Sequence, residues 1–157
     1  MKDYKRLWAI LGLIMIGSFF ILGYFGKEVY NEKPPVPTAF VDENGQTLYT
    51  KDDIMAGQSA WQSIGGMSVG TVWGHGAYQA PDWTADWIHR EVLGWLDQQA
   101  QREFGKPYDQ LSERDQATLH YDAQQAFRKN TYDQATGKVT LSADRVRSIE
   151  GVAAYYD

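Results

Sequence analysis

The chain has 157 residues, enough for one domain of ordinary size and a membrane anchor. It carries 15 Lys and Arg against 20 Asp and Glu, and this acidic balance argues against nucleic-acid binding, which needs a basic surface. Because there are no cysteines, disulfides, thiolate metal sites and covalently attached haem are excluded within these residues. The 6 Trp, 10 Tyr and 6 Phe indicate either a tryptophan-rich core or a docking surface for a larger partner.

The first distinct element is an apolar stretch, LWAILGLIMIGSFFILGYF, at residues 7–25. It contains no charged residue and approaches the ~20 residues that a helix needs to cross a bilayer. Lys2, Lys5 and Arg6 precede it, so the positive-inside rule places segment 1–6 in the cytoplasm and the rest outside. A cleaved signal peptide is the alternative, but its apolar region would be shorter, about 7–15 residues. We therefore predict a transmembrane helix over residues 7–26.

Local signals then predict a linker, a hairpin and a helix. The prolines within residues 27–38 favour an extended linker that holds the next domain off the bilayer. Asn44-Gly45 lies between apolar runs and predicts a β-hairpin with a type I′ turn. Thr50, with Asp53 three residues later, predicts the start of a helix that ends at Gly65-Gly66.

A longer helix is predicted to open around Asp82 and to end near Gly105. One face of this helix should be buried, because apolar residues recur at helical spacing. The predicted stripe consists of Ile88, Val92, Trp95, Leu96, Gln99 and Ala100. Ser112 predicts the start of another helix, which reaches about Lys129. The apolar line of that helix consists of Leu119, Ala123 and Phe127.

The last part of the chain predicts a hairpin or long loop and a final helix. Thr136-Gly137 marks a turn within residues 130–141, and Ser142 starts the last helix. Its expected apolar side consists of Val146, Ile149 and Val152. The chain ends at Asp157 without a cap or a polar tail, which favours truncation inside an element. The predicted fold is mainly α, with one transmembrane helix and short hairpins in a domain over residues 39–157.

The sequence gives only weak support for a catalytic or metal-binding motif. The histidines are His75, His89 and His120, and nothing in the sequence brings them together at metal-ligand spacing. Gly74-His75-Gly76 lacks the third glycine and the preceding strand of a dinucleotide loop. Asp82 and Asp86 share a helical face, but carboxylates in a first turn usually complement the helix dipole. A hydrolase or metalloenzyme that uses His89 with Asp86 remains an alternative hypothesis.

A glycine-rich loop is the more informative feature. Within residues 65–76 it contains Gly65, Gly66, Gly70, Gly74 and Gly76. Glycine lets the backbone approach a neighbouring surface closely and frees carbonyl oxygens, which are suitable ligands for Ca²⁺. The alternative is an irregular loop stabilised by its own aromatic residues, Trp73 and Tyr78.

The stretch GQSAWQSIGGMSVGTVWGHGAYQAPDWTADWIHRE, residues 57–91, resembles the outer-face domain of quinol-dependent nitric-oxide reductases. In that family, one polypeptide joins this domain to a catalytic many-helix membrane domain. The resemblance implies that the complete enzyme contains haem b and non-haem iron, and reduces NO to N₂O with quinol electrons. None of that machinery lies in these residues, so the resemblance assigns no cofactor and no catalytic residue to this chain.

The same domain resembles the cytochrome c subunit of the related cytochrome-dependent reductases. Alignment on Gly-His-Gly-Ala-Tyr-Gln-Ala-Pro, residues 74–81, puts Gly66, Val69 and Gly70 where the haem-attaching cysteines and histidine would stand. The resemblance therefore implies a cytochrome c-like helical domain without haem. It also implies that Gly76 and Tyr78 contribute main-chain oxygens to a calcium site shared with the catalytic domain.

The resemblance implies a structural role on the periplasmic side of the inner (plasma) membrane. The domain would cap the catalytic membrane domain through Trp73, His75 and Trp83, and quinol would bind to that other domain. The enzyme would serve denitrification in a respiratory chain. The alternative is a free-standing, membrane-anchored docking module for another membrane complex.

Overall fold

The computed structural model describes residues 2–32, 34–72, 74–76 and 81–157. The chain divides into two units, Met1–Val36 and Pro37–Asp157. In the first unit, helix α1 spans Lys2–Glu32, and the segment Tyr4–Glu32 is long and apolar enough to cross a membrane. The helix continues beyond the apolar segment predicted over 7–26, because Lys27 and Glu28 are compatible with helical backbone. The prolines that follow are outside the helix, as expected of residues that cannot donate its hydrogen bonds.

In the second unit, two hairpins join into one small sheet. The strands of the described residues are β1 (Ala39–Val41), β2 (Thr47–Thr50), β3 (Thr71–Val72), β4 (His75–Gly76), β5 (Tyr132–Asp133) and β6 (Lys138–Thr140). Both sequence-predicted hairpins, β1–β2 and β5–β6, are confirmed. A parallel pairing of β1 with β6 gives the sheet order β2-β1-β6-β5, which the sequence did not predict.

The turn of the first hairpin differs from the predicted type I′ turn at Asn44-Gly45. The Gly45 amide donates to the Asp42 carbonyl at 3.1 Å, so the tight turn is centred one residue earlier. Gly45 alone then takes the left-handed conformation, with φ of 82°, as in a three-residue loop that ends in a bulge. The Asp42 carboxylate accepts from the amides of Asn44 and Gln46, at 3.0 and 2.7 Å, and these bonds favour the longer loop.

The helices begin at the sequence-predicted caps. Helices α2 to α5 span Lys51–Ser63, Trp83–Phe104, Glu113–Arg128 and Ala143–Tyr156. The residues before them, Thr50, Asp82, Ser112 and Ser142, each accept a hydrogen bond from a first-turn amide. Gly65 and Gly105 lie just beyond α2 and α3 with φ of 71° and 65°, as helix-ending glycines do.

The core lies between α3 and α4, and α5 also packs against α3. Its buried members are Trp95, Leu96, Ala100, Leu119 and Ala123. Ile88 was predicted to be buried, but 47% of its surface is exposed. The buried position in that turn belongs to Glu91, because its carboxylate is paired with Arg145. The prediction of a mainly α fold with short hairpins is confirmed.

Candidate functional site

The glycine-rich loop folds back onto the start of α3. After α2, residues Gly66–Ser68 form a short 3₁₀ helix, and β3 and β4 then pair as a small hairpin with Gly74 at φ of 71°. The Thr71 amide donates to the Pro81 carbonyl at 2.9 Å. The two ends of the loop are therefore held side by side.

Asp82 joins this loop to helix α3. Its Oδ1 accepts from the Thr84 and Ala85 amides at 2.9 and 3.1 Å, and its Oδ2 accepts from the Gly74 amide at 2.6 Å. The Ala85 amide is the main cause that lowers the pKa of Asp82, and bonds from Thr71, Gly74 and Thr84 add to it. One charged carboxylate thus caps the helix and fixes the β3–β4 turn.

Two tryptophan rings lie directly against glycines of the loop. A Cβ atom built on Gly66 would lie 2.2 Å from Trp61 Cδ2, and one built on Gly70 would lie 1.8 Å from Trp83 Nε1. Both distances are far inside van der Waals contact, so any side chain at either glycine would displace an indole. Gly66 and Gly70 need to be glycine for this close approach.

This packing tests whether a cytochrome c haem would fit. The resemblance sets Gly66, Val69 and Gly70 against the two cysteines and the histidine of the haem motif. None of them offers a thiol or an imidazole, and the indoles of Trp61 and Trp83 occupy the space that side chains at Gly66 and Gly70 would need. A covalently attached haem does not fit this chain.

The same tryptophans line an open aromatic cavity. The walls of this cavity, about 320 Å³ in volume, are Trp61, Trp83, Trp87 and Tyr156. Tyr156 stacks on Trp87 with ring centres 5.8 Å apart and meets Trp83 edge-on at 6.4 Å. Within the part of the chain that the structure describes, the buried indole nitrogens of Trp61 and Trp83 have no hydrogen-bond partner. The cavity is therefore an apolar, aromatic surface that joins α2, α3 and α5.

A charged cluster supports the rim of the aromatic cavity. Asp86 accepts from Arg90 Nε at 2.7 Å and from the Tyr156 hydroxyl, and the Arg90 guanidinium lies 3.7 Å from the centre of the Tyr155 ring. Arg90 and then Tyr156 lower the pKa of Asp86, and the bond to Asp86 raises the pKa of Tyr156. These contacts give Asp86 a structural role in joining α5 to α3, rather than leaving it free as an acid–base group.

An apolar groove of about 540 Å³ separates α3 and α5 from the sheet. Its floor carries the ion pair in which Arg145 donates to Glu91, and Trp83 and Trp87 contribute to its wall. The remaining lining residues are Phe40, Tyr49, Val72, Thr84, Ile88, Val139, Leu141 and Ile149. Since the polar groups on its floor are already paired, the groove offers apolar contact.

The sequence-predicted site residues fall in different places. Trp83 is the first residue of α3, and the backbone of Gly76 and His75 forms strand β4. Trp73 and Tyr78 lie outside the described residues, as does the side chain of His75. Among the residues that the structure describes, no three His, Asp or Glu side chains are grouped to hold a metal ion.

Sequence reasoning missed Trp61, Trp87 and Tyr156 as members of one site. Trp83 and Trp87 are four residues apart on a predicted helix, a spacing that places both on one face. That signal could have identified half of the aromatic cavity. The contributions of α2 and α5 depend on how distant parts of the chain pack, so no local pattern reveals them.

Comparison with known proteins agrees with this architecture. No curated protein matches the chain. The family described as the NorB cytochrome c-like domain of nitric oxide reductase matches residues 37–157, which is the whole of the second unit. The chain belongs to the NorB family of nitric oxide reductases and contains the cytochrome c-like domain of that family.

Proposed function

We propose that this chain is the N-terminal anchor and outer-face domain of a quinol-dependent nitric-oxide reductase. In the complete enzyme, two NO, two electrons and two protons give N₂O and water. The observation that carries the proposal is the packing of Trp61 on Gly66 and of Trp83 on Gly70, in a domain of a cytochrome c-like family. A domain that cannot hold a covalent haem cannot pass electrons from a soluble cytochrome through such a haem.

The lack of a covalent haem supports quinol dependence. With no haem at this domain, electrons reach the catalytic centre from a donor that bypasses it, and quinol dissolved in the bilayer is such a donor. The haem b and the non-haem iron belong to the catalytic membrane part, which supplies the NO chemistry. A bridging Ca²⁺ held in part by main-chain oxygens of Gly76 and Tyr78 remains part of the proposal.

The role of this domain is structural. Asp82 fixes the glycine-rich loop to the start of α3, and this part of the domain would cap the catalytic part and exclude water from it. The interface would include Trp73, His75 and Trp83. Helix α1 would anchor the domain, with Lys2, Lys5 and Arg6 on the cytoplasmic side and the domain on the periplasmic side of the inner membrane.

The test is to purify the complete protein and to compare electron donors. We expect haem b absorbance, and NO consumption that a reduced quinol supports and that reduced cytochrome c does not. Consumption supported by cytochrome c alone would contradict quinol dependence. A purified protein without haem b and without NO consumption would contradict the reductase assignment, and would favour the free-standing docking module.

A further inference from the structure

The apolar groove between the sheet and helices α3 and α5 has the size and lining of a small-molecule site. Its volume of about 540 Å³ lies within the range of about 300–1,000 Å³ that is typical of such sites. Much of its wall is aromatic, with Phe40 and Tyr49 on the sheet and Trp83 and Trp87 on α3. Aromatic side chains stack favourably on flat rings. The lining therefore favours a ligand with a ring-shaped apolar body.

Glu91 brings a buried carboxylate to the floor of the groove. Only 3% of this residue is exposed, and it lines the groove. Arg145 donates both of its hydrogen bonds to the same oxygen, Oε1, at 2.9 and 2.7 Å. The described residues supply no donor to the other oxygen, Oε2. A carboxylate oxygen can only accept, and burying it without a donor costs free energy, so Oε2 favours a ligand that donates.

The ion pair narrows the charge of the ligand. Glu91 and Arg145 carry opposite charges 2.7 Å apart, so together they give the floor of the groove no net charge. An ionic ligand would bring an unpaired charge into an apolar space, which costs binding free energy. A neutral ligand avoids that cost. A hydroxyl group is a neutral donor, and its hydrogen bond to a charged carboxylate oxygen is among the stronger ones.

Hydrogen bonds tie the walls of the groove to one another. On the sheet side, Leu141 is 4% exposed and donates its amide to the Val41 carbonyl at 2.8 Å. Helix α5 begins at Ala143, directly after this strand end, and Arg145 then joins α5 to α3 through Glu91. A site whose walls are already in place loses less conformational entropy when it binds a ligand.

We propose that this groove binds a neutral, ring-bearing alcohol or phenol. The hydroxyl of the ligand donates to Oε2 of Glu91, and its ring packs against Phe40 on the sheet and Trp87 on α3. The carboxylate supplies the directional contact, and the aromatic and aliphatic walls supply the apolar one. The proposal goes beyond the nitric-oxide reductase assignment and does not depend on it, because it concerns residues of this domain alone.

Titration of the chain in lipid nanodiscs with 4-propylphenol, followed by amide NMR shifts, tests the site. Propylbenzene has the same apolar body without the hydroxyl, and the free concentration of each probe is measured in the aqueous phase. We expect saturable shifts at the Val139 and Ile149 amides, which line the groove, and none at the indole N–H of Trp61 in the aromatic cavity. A purely apolar groove would prefer propylbenzene, whereas a hydrogen bond to Oε2 should make 4-propylphenol bind at least about tenfold more tightly. Equal or weaker binding of 4-propylphenol, or shifts that do not saturate, would overturn the proposal.

A pair of variants locates the binding without disturbing the ion pair. Val139→Trp fills the groove from strand β6 and should abolish the binding of 4-propylphenol. Lys138→Trp, at the exposed neighbouring position of β6, should leave it unchanged. If Val139→Trp does not fold, as its NMR spectrum would show, Ile149→Trp fills the same space from α5. A folded, filled variant that binds 4-propylphenol as tightly as the parent would overturn the proposal. The readout is binding to the chain itself, so the outcome is independent of haem b and of NO consumption.

Discussion

Glu91 of α3 and Arg145 of α5 form a charged pair beneath the apolar groove. Arg145 donates from Nε at 2.9 Å and from Nη2 at 2.7 Å to the same oxygen, Oε1 of Glu91. Only 3% of Glu91 is exposed, and the Arg145 guanidinium also lies 4.5 Å from the centre of the Phe127 ring. The pair therefore links α3, α4 and α5 at one point.

Glu91→Ala should destabilise the domain by about 3 kcal/mol, which is the lower end of the range of about 3–5 kcal/mol for breaking a buried ion pair. The lower end applies because Arg145 keeps 25% of its side chain exposed and can be partly hydrated. Chemical denaturation of the detergent-solubilised chain, followed by tryptophan fluorescence, measures this loss. Glu103→Ala, at an exposed position near the end of α3, is the control and should change stability little. Equal losses in the two variants would show that the pair adds nothing specific.

Gly70→Ala should destabilise the domain by about 1–3 kcal/mol, because a Cβ there would lie 1.8 Å from Trp83 Nε1 and force the indole away. Gly57→Ala on α2 is the matched control. A Cβ at Gly57 meets nothing within 4 Å, and alanine should stabilise the helix by about 0.5–1 kcal/mol. Thermal unfolding of both variants measures these changes in stability. If Gly70→Ala were as stable as the parent, the close packing of Trp83 on Gly70 would be contradicted.

Covalent haem should not attach to this domain even when the haem motif is restored. In the triple variant Gly66→Cys, Val69→Cys and Gly70→His, the indoles of Trp61 and Trp83 still occupy the space that the new side chains need. Expression with a cytochrome c maturation system, followed by haem staining of a denaturing gel, measures attachment. Adding Trp61→Ala and Trp83→Ala frees that space and should permit some staining. Full staining of the triple variant with both tryptophans intact would contradict the packing argument.

The loop held by Asp82 should loosen in acid. The pKa of Asp82 is lowered in the folded protein, so its contribution to stability is present above the pKa of the unfolded chain, about 4. That contribution is lost as the pH falls below 4 towards the lower folded value. The protection of the Gly74 and Ala85 amides against hydrogen exchange, measured relative to the intrinsic exchange rate at each pH, should decrease over that range, and it should already be low at neutral pH in Asp82→Ala. If protection of the Gly74 amide changed neither with pH nor in Asp82→Ala, the hydrogen bond between Gly74 and Asp82 would be contradicted.

Local structure in this protein depends on residues that are close together along the chain. Thr50, Asp82, Ser112 and Ser142 cap their helices through hydrogen bonds that reach at most three residues along the chain. The apolar α1 was predicted from its long uncharged stretch, and the ends of α2 and α3 were predicted from their glycines, which readily adopt the left-handed conformation. Composition alone excluded a cysteine-linked haem, because the chain contains no cysteine.

The way these elements pack together depends on contacts between distant parts of the chain. The parallel pairing of β1 with β6 joins strands from distant parts of the chain, and no periodic pattern encodes such a pairing. Ile88 was predicted to be buried and is exposed, because the ion pair with Arg145 holds Glu91 in the buried position instead. Trp61, from α2, and Tyr156, from α5, enter one cavity only through packing. Hydrogen bonds within a turn are fixed by neighbouring residues, whereas burial depends on which distant surfaces fit together.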